Sequence, residues 1–143
     1  GREIWRDTLV TITHFVSAMG TTVTIMGTWR FLKEKNAAIE IIGAQPTEES
    51  CIPGIRRWPI EYRPSIFEPE RVDRTMDVST GDAKTMTRRL AREGGVFAGM
   101  SSGGAVHIAS QLARELLEQR RAASIVVIIC DRGDRYLSTD LFG

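Results

Sequence analysis

At 143 residues the chain is close to the commonest size of one domain, long enough for one full core and too short for two. Charged residues make up 26% and hydrophobic residues 42%, which disfavours disorder, and no apolar run approaches the roughly 20 residues of a membrane-spanning helix. The net charge is +1, with 16 arginines and 3 lysines scattered among 18 acids, so the basic stripe expected of a nucleic-acid partner is missing.

The opening segment GREIWRDT is polar, without the charged and apolar blocks of an export signal, and a cytoplasmic protein is expected. Leu9–Ala18 is rich in β-branched and aromatic residues and reads as a strand. A turn of small residues follows, and from Thr24 the apolar residues Ile25, Met26, Trp29, Phe31 and Leu32 take helical spacing that fades towards Asn36. Ile39–Ala44 is a second strand. Between Thr47 and Arg71 lie four prolines and no sustained periodicity, and loops of this length usually cover a site or a partner surface.

Val72–Val78 alternates as a short strand, and Ser79 opens a helix with Asp82 in its first turn that runs to Glu93 and ends at Gly94 and Gly95. Val96–Met100 reads as a short buried strand. A long amphipathic helix is expected over Ala105–Arg121, and the apolar run Ser124–Cys130 has the character of a central parallel strand covered on both faces. Alternating strands and helices predict one three-layer, doubly wound, Rossmann-like α/β domain over residues 1–143 with a mainly parallel sheet, a monomer or a homodimer.

Two of the strand-to-helix turns are rich in small residues: Gly20 to Thr24, and Ser101 to Gly104. Such turns emerge at the carboxyl ends of parallel strands, where N–H groups and hydroxyls suit a phosphate or other small anion; plain helix caps have the same composition. The tail Cys130–Thr139 is dense in charge and also fits a solvated edge with local Asp–Arg pairs. Cys51 and Cys130 lack metal-ligand or disulfide spacing and read as free thiols, and His14 and His107 have no catalytic partner placed by sequence. No metal site is expected.

Taken together, VSAMGTT, IEIIGAQP, IPGIRRWP, FAGMSSGGA and IICDRGDRYLST resemble, in order along nearly the whole chain, the B-type cysteine synthases. These are fold type II pyridoxal phosphate enzymes that make cysteine from an acetylated or phosphorylated serine. The resemblance implies that Gly20, Thr21, Thr22 and Thr24 hold the cofactor phosphate and that Ser101, with Ser102 behind it, bonds the pyridine nitrogen. It also places Arg56, Arg57 and Trp58 at the mouth of the site, suited to anionic sulfur donors, and Cys130 near the pocket.

The departures from that pattern set further expectations. Val23 stands where the family's phosphate loop has its last glycine, so crowding of the anion or a blocked positive φ is expected there. The family's Schiff-base lysine and substrate-gripping loop lie in a smaller domain that these residues do not match, and Lys33, Lys35 and Lys84 fall on helices expected to be polar and exposed. The chain alone is therefore expected to hold no cofactor and to catalyse nothing, as an isolated and engineered large domain. The β-prone Leu9–Ile12 and the segment Glu118–Ala123 read as repairs to a cut surface. The rival readings are an enzyme half completed by another chain and a small anion-binding module.

Overall fold

The sheet centres on two largely buried strands, and helices pack on both of its faces. In the computed structural model, which describes all 143 residues, β1 (His14–Ala18) and β2 (Glu40–Pro46) lie at its centre. β3 (Arg74–Val78) pairs with β2, and β4 (Ile125–Val127) with β1, giving the order β3-β2-β1-β4 with every pair parallel. The β1–β2 register runs from His14 opposite Glu40 to Ala18 opposite Ala44.

Successive residues of the central strands face opposite layers, as the period of two requires. Phe15 and Ile41 pack with Ile25, Leu32 and Ile39 against helix α2 (Val23–Lys35). Val16 and Ile42 pack with Ala83, Ile108 and Leu112 against helices α3 (Thr80–Glu93) and α4 (Met100–Glu118). Phe15, Val16, Ile41 and Ile42 are fully buried, and each stabilises the fold by about 1.5 to 3 kcal/mol. The result is the expected three-layer α/β fold.

Helix α3 has the ends its sequence predicts. Ser79 Oγ accepts the Asp82 N–H at 3.1 Å, and past Gly94 the chain turns through Gly95 at φ 65° so that the Val96 N–H reaches the Leu90 carbonyl.

Three expected strands change. Leu9–Ile12 is not β: the short helix α1 (Arg2–Asp7) ends in a turn where Leu9 and Val10 have φ of 49° and 67°. Their amides close the helix end, Leu9 to Arg6 and Val10 to Trp5, so β propensity yields to the need to satisfy helix carbonyls. Val96–Met100 forms one antiparallel bridge, Ala98 to Arg132, because α4 begins at Met100, five residues ahead of the expected start at Ala105. The Ser101–Gly104 turn is thus the first turn of a helix. Ser124–Cys130, expected at the centre, supplies a three-residue edge strand whose members are only half-buried. It has a neighbour on one side alone, and its apolar composition does not reveal that.

The long segment after β2 is pinned where it starts, by Ile52 and Ile55, both buried in the α3–α4 layer. Two short 3-10 turns, Ile60–Tyr62 and Pro69–Arg71, break the remainder.

Candidate functional site

The carboxyl ends of β1 and β2, the start of α2 and the start of α4 come together beneath the loop that carries Gly54. The Gly20 turn leaves β1 and enters α2 through Thr22, a buried residue at φ 66°. A β-branched residue in the left-handed region is costly and persists only where its surroundings hold it. The first backbone bond of α2 runs from Met26 N–H to Thr22 O, no side chain caps the helix, and the amides of Val23, Thr24 and Ile25 find no acceptor in the chain. Unpaired amides at the positive end of a helix suit an anion. Val23 sits at the first helical position, about half exposed and without positive φ. The expected backbone conflict at Val23 is therefore corrected: the strained residue is Thr22, one position earlier.

The segment after β2 folds over this turn. Arg56 N–H donates to Met19 O at 2.8 Å, and the Trp58 indole N–H donates to Gly20 O at 2.7 Å. Gly54, at φ 87°, lies between the two helix starts. A Cβ on Gly20 would meet the Gly54 carbonyl oxygen at 2.7 Å, and a Cβ on Gly54 would lie 3.2 Å from Ser101 Oγ. Gly20, Gly54 and Ser101 thus form one contact chain. The Pro-Gly dipeptide was the sequence signal for such a turn.

Arg56, Arg57 and Trp58 share a cleft of about 270 Å³ with Gln45, Arg63 and Phe67. Their roles differ. Arg57 is engaged internally, through Nε to the Pro46 carbonyl at 3.0 Å and Nη2 to Asp77 at 2.5 Å, whereas Arg56 is exposed and makes no ion pair. Arg63 escaped the sequence reading because one arginine in a proline-rich stretch carries no pattern. A larger groove of about 480 Å³ between β3 and α4 is less suited to a ligand: Arg74 and Glu115 on its wall satisfy each other through two hydrogen bonds, at 2.6 and 3.0 Å.

At the start of α4, Ser101 and Ser102 are buried. Ser101 Oγ lies 3.0 Å from Cys130 Sγ, and Ser102 Oγ accepts the Cys130 N–H at 3.1 Å. Asp131 accepts from Gly99 N–H, from Ser102 Oγ–H and from the Tyr136 phenol, at 3.0, 3.0 and 2.5 Å. Burial, and then the bond to Asp131, push the Tyr136 phenol up to about 12. The tail is exposed along most of its length and pairs Arg132 with Asp134 locally, as a solvated edge does, while the bonds to Asp131 and Gly133 N–H to Phe97 O also tie it down.

The lysines lie elsewhere. Lys33 pairs with Asp73, Lys84 with Asp140, and Lys35 stacks over the Phe31 ring. His14 is buried on β1, its Nε2 without a hydrogen-bond partner, and burial lowers its pKa. No group of His, Cys, Asp and Glu side chains could hold a metal ion, and no helix is long and apolar enough to cross a membrane.

A profile of the pyridoxal-phosphate dependent enzyme family matches residues 1–131. Cysteine synthase B of Pseudomonas aeruginosa is 57% identical over 142 residues, which are 99% of this chain and 46% of the relative. Cysteine synthase B of Escherichia coli is 52% identical over 143 residues, 100% of this chain and 46% of the relative. Among solved structures, a cysteine synthase of Entamoeba histolytica superposes with a TM-score of 0.85 at 34% identity, covering 99% of this chain and 43% of that one. The chain spans about half the length of the curated relatives it matches.

Proposed function

Because the chain belongs to the pyridoxal-phosphate dependent enzyme family, we propose that it forms the phosphate-binding and ring-nitrogen-binding half of a cysteine synthase site and does not turn over substrate alone. The observation that carries this reading is the contact chain Gly20, Gly54, Ser101 at the carboxyl edge of a parallel sheet, with unpaired amides on one side and buried serine hydroxyls on the other. These residues fit the cofactor. Gly20, Thr21, Thr22 and Thr24 would hold its phosphate at the start of α2, and Ser101 would face the ring nitrogen. When bound, pyridoxal phosphate supplies an electron sink for bond cleavage at the substrate's α- and β-carbons.

The chain's own residues bind and orient. The open amides of α2 attract a phosphate, Trp58 holds the Gly20 carbonyl so that the turn keeps its shape, and Arg56 presents a free cation at the cleft mouth to an anionic sulfur donor. Each of the three lysines is engaged, Lys33 and Lys84 in ion pairs and Lys35 against Phe31. That supports the absence of turnover by the chain alone. The further expectation of an engineered sequence rests on Glu118–Ala123, the link from α4 to β4, because Leu9 and Val10 form a turn.

A second reading, in which further polypeptide completes the site, is favoured by the open edge of β4 and by exposed Phe97, Ile129 and Leu137 beyond it. Calorimetric titration with pyridoxal phosphate tests the binding half: with Val23 at an ordinary φ the backbone ground for expecting no bound cofactor falls away, so the parent is expected to bind, and Ser101→Ala and Thr24→Ala to bind several-fold more weakly. Equal affinity of all three would overturn it. Cysteine formed from O-acetylserine and sulfide by the purified chain, above the rate of free cofactor, would overturn the inactive half.

A further inference from the structure

Gly99, the residue that opens α4, has no side chain with which to cap the helix, and no side chain of the first turn does so. A carboxylate reaches this helix start from Asp131, beyond the end of β4, with Gly99 N–H and Ser102 Oγ–H as donors, though it takes none of the amides of Met100, Ser101 and Ser102. The Tyr136 phenol, the third donor, holds the carboxylate from the far side. Ser102 Oγ, while donating to Asp131, accepts the Cys130 N–H. Every hydrogen bond that ties the end of β4 to the first turn of α4 therefore involves Asp131 or the cysteine next to it.

We propose that Asp131 is the positioning residue of the Ser101 hydroxyl, setting the start of α4 in register with Cys130 so that Ser101 Oγ and Cys130 Sγ stay in contact at 3.0 Å. Three donors leave the carboxylate little freedom to rotate, and its negative charge lies at the positive end of a 19-residue helix, so the arrangement is favoured electrostatically as well as geometrically. The importance of this to a cofactor ring rests on the reading above; the positioning does not.

The thiol reports on the contact. In a Cys51→Ser background Cys130 is the only thiol, and its reaction with a chromogenic aromatic disulfide measures how firmly it is held. Asp131→Ala is expected to speed that reaction about tenfold at about pH 8, while Asp131→Asn, which keeps an acceptor for Gly99 and Ser102, stays within about twofold of the parent. Alkaline difference spectra give a second signature: Tyr136 should titrate closer to the ordinary phenol range in Asp131→Ala than in the parent. A folded Asp131→Ala with the parental thiol rate would overturn the proposal, and so would an Asn variant as fast as the Ala variant, since charge alone would then be at work. Should the Ala variant fail to fold, Ser102→Ala removes one of the ties and is expected to accelerate the thiol several-fold, a parental rate again overturning the proposal. Pyridoxal phosphate titration of the same proteins separates the two claims: no binding by the parent, beside an intact Ala and Asn contrast, sinks the cofactor reading and leaves the positioning standing.

Discussion

Helices α2 and α4 start at the same edge of the sheet, with small and hydroxyl residues before the first and within the first turn of the second, yet the two starts are held differently. At α2 the amides of Val23, Thr24 and Ile25 are unpaired, no side chain caps the helix, and Val23 is about half exposed. At α4 the amides of Met100, Ser101 and Ser102 likewise find no acceptor in the chain, but the Asp131 carboxylate fixes the helix start through Gly99 N–H and Ser102 Oγ–H, and the residues from Ala98 to Ala105 are all buried. Residue type at a strand-to-helix turn does not decide whether the helix start is open or packed shut. Burial and the hydrogen bonds brought by a distant part of the chain do.

The strongest way to break that contrast is to put bulk at both turns. A Cβ on Gly99 would collide with the Asp131 carboxylate and the Tyr136 ring, both fixed by hydrogen bonds, whereas a Cβ on Gly20 meets one carbonyl, that of Gly54, on a surface loop. Gly99→Val should cost about 3 kcal/mol by denaturant unfolding and Gly20→Val about half of that or less. Equal costs would mean that the α2 turn is packed as firmly as the α4 turn.

This difference between the turns also marks the limit of what the sequence revealed. Local signals were sufficient for α3, whose Ser79 cap and Gly94–Gly95 end appear as expected, because a cap is decided within a few residues. They failed for Leu9–Ile12, where closing a helix end outweighed β propensity, and for the Ser124–Cys130 run, where apolar composition could not tell an edge strand from a central one. At the site, the motifs gave Gly20, Ser101 and Trp58, which the fold brings to one edge. The links among them, through Gly54 at positive φ and through Asp131, join segments about 30 to 50 residues apart in the chain, and no short spacing encodes such a contact.

The amino edge of the sheet gives the comparison a reference that involves neither turn. His14 is buried there, with Thr13 Oγ1 2.7 Å from Nδ1, Glu40 at 3.7 Å and Arg121, which pairs with Glu40, close by. Its pKa is lowered, first by burial, then against the pull of Glu40 and with the push of Arg121. The folded state then binds its proton less readily than the unfolded chain does. The contribution is full above the ordinary histidine range, near pH 6.5, and is lost as pH falls through that range to the lower folded value. Unfolding free energies at about pH 7.5 and 5.5 should differ less in His14→Gln than in the parent. The same slope in both would place the acid sensitivity elsewhere.

The smallest expected effect sharpens the contrast at its open side. Val23 occupies the first helical position with an ordinary φ, so glycine there relieves no strain and costs a few tenths of a kcal/mol in helix propensity, about 0.3 to 0.5. Its side chain nevertheless stands beside the unpaired amides of Thr24 and Ile25, where a phosphate would be drawn by about 0.3 to 1 kcal/mol of helix-dipole attraction at an exposed site. Val23→Gly should therefore tighten inorganic phosphate binding about two- to fivefold by calorimetric titration while lowering stability slightly, since removing the isopropyl group opens the approach without altering the donors. Because the left-handed residue is Thr22, Thr22→Gly is the matching control, expected to relieve backbone strain there without opening the approach past Val23. If Val23→Gly binds phosphate no better than the parent, the side chain does not crowd the anion. If neither protein binds phosphate at all, the α2 turn is an uncapped helix start and the contrast with α4 is one of packing alone.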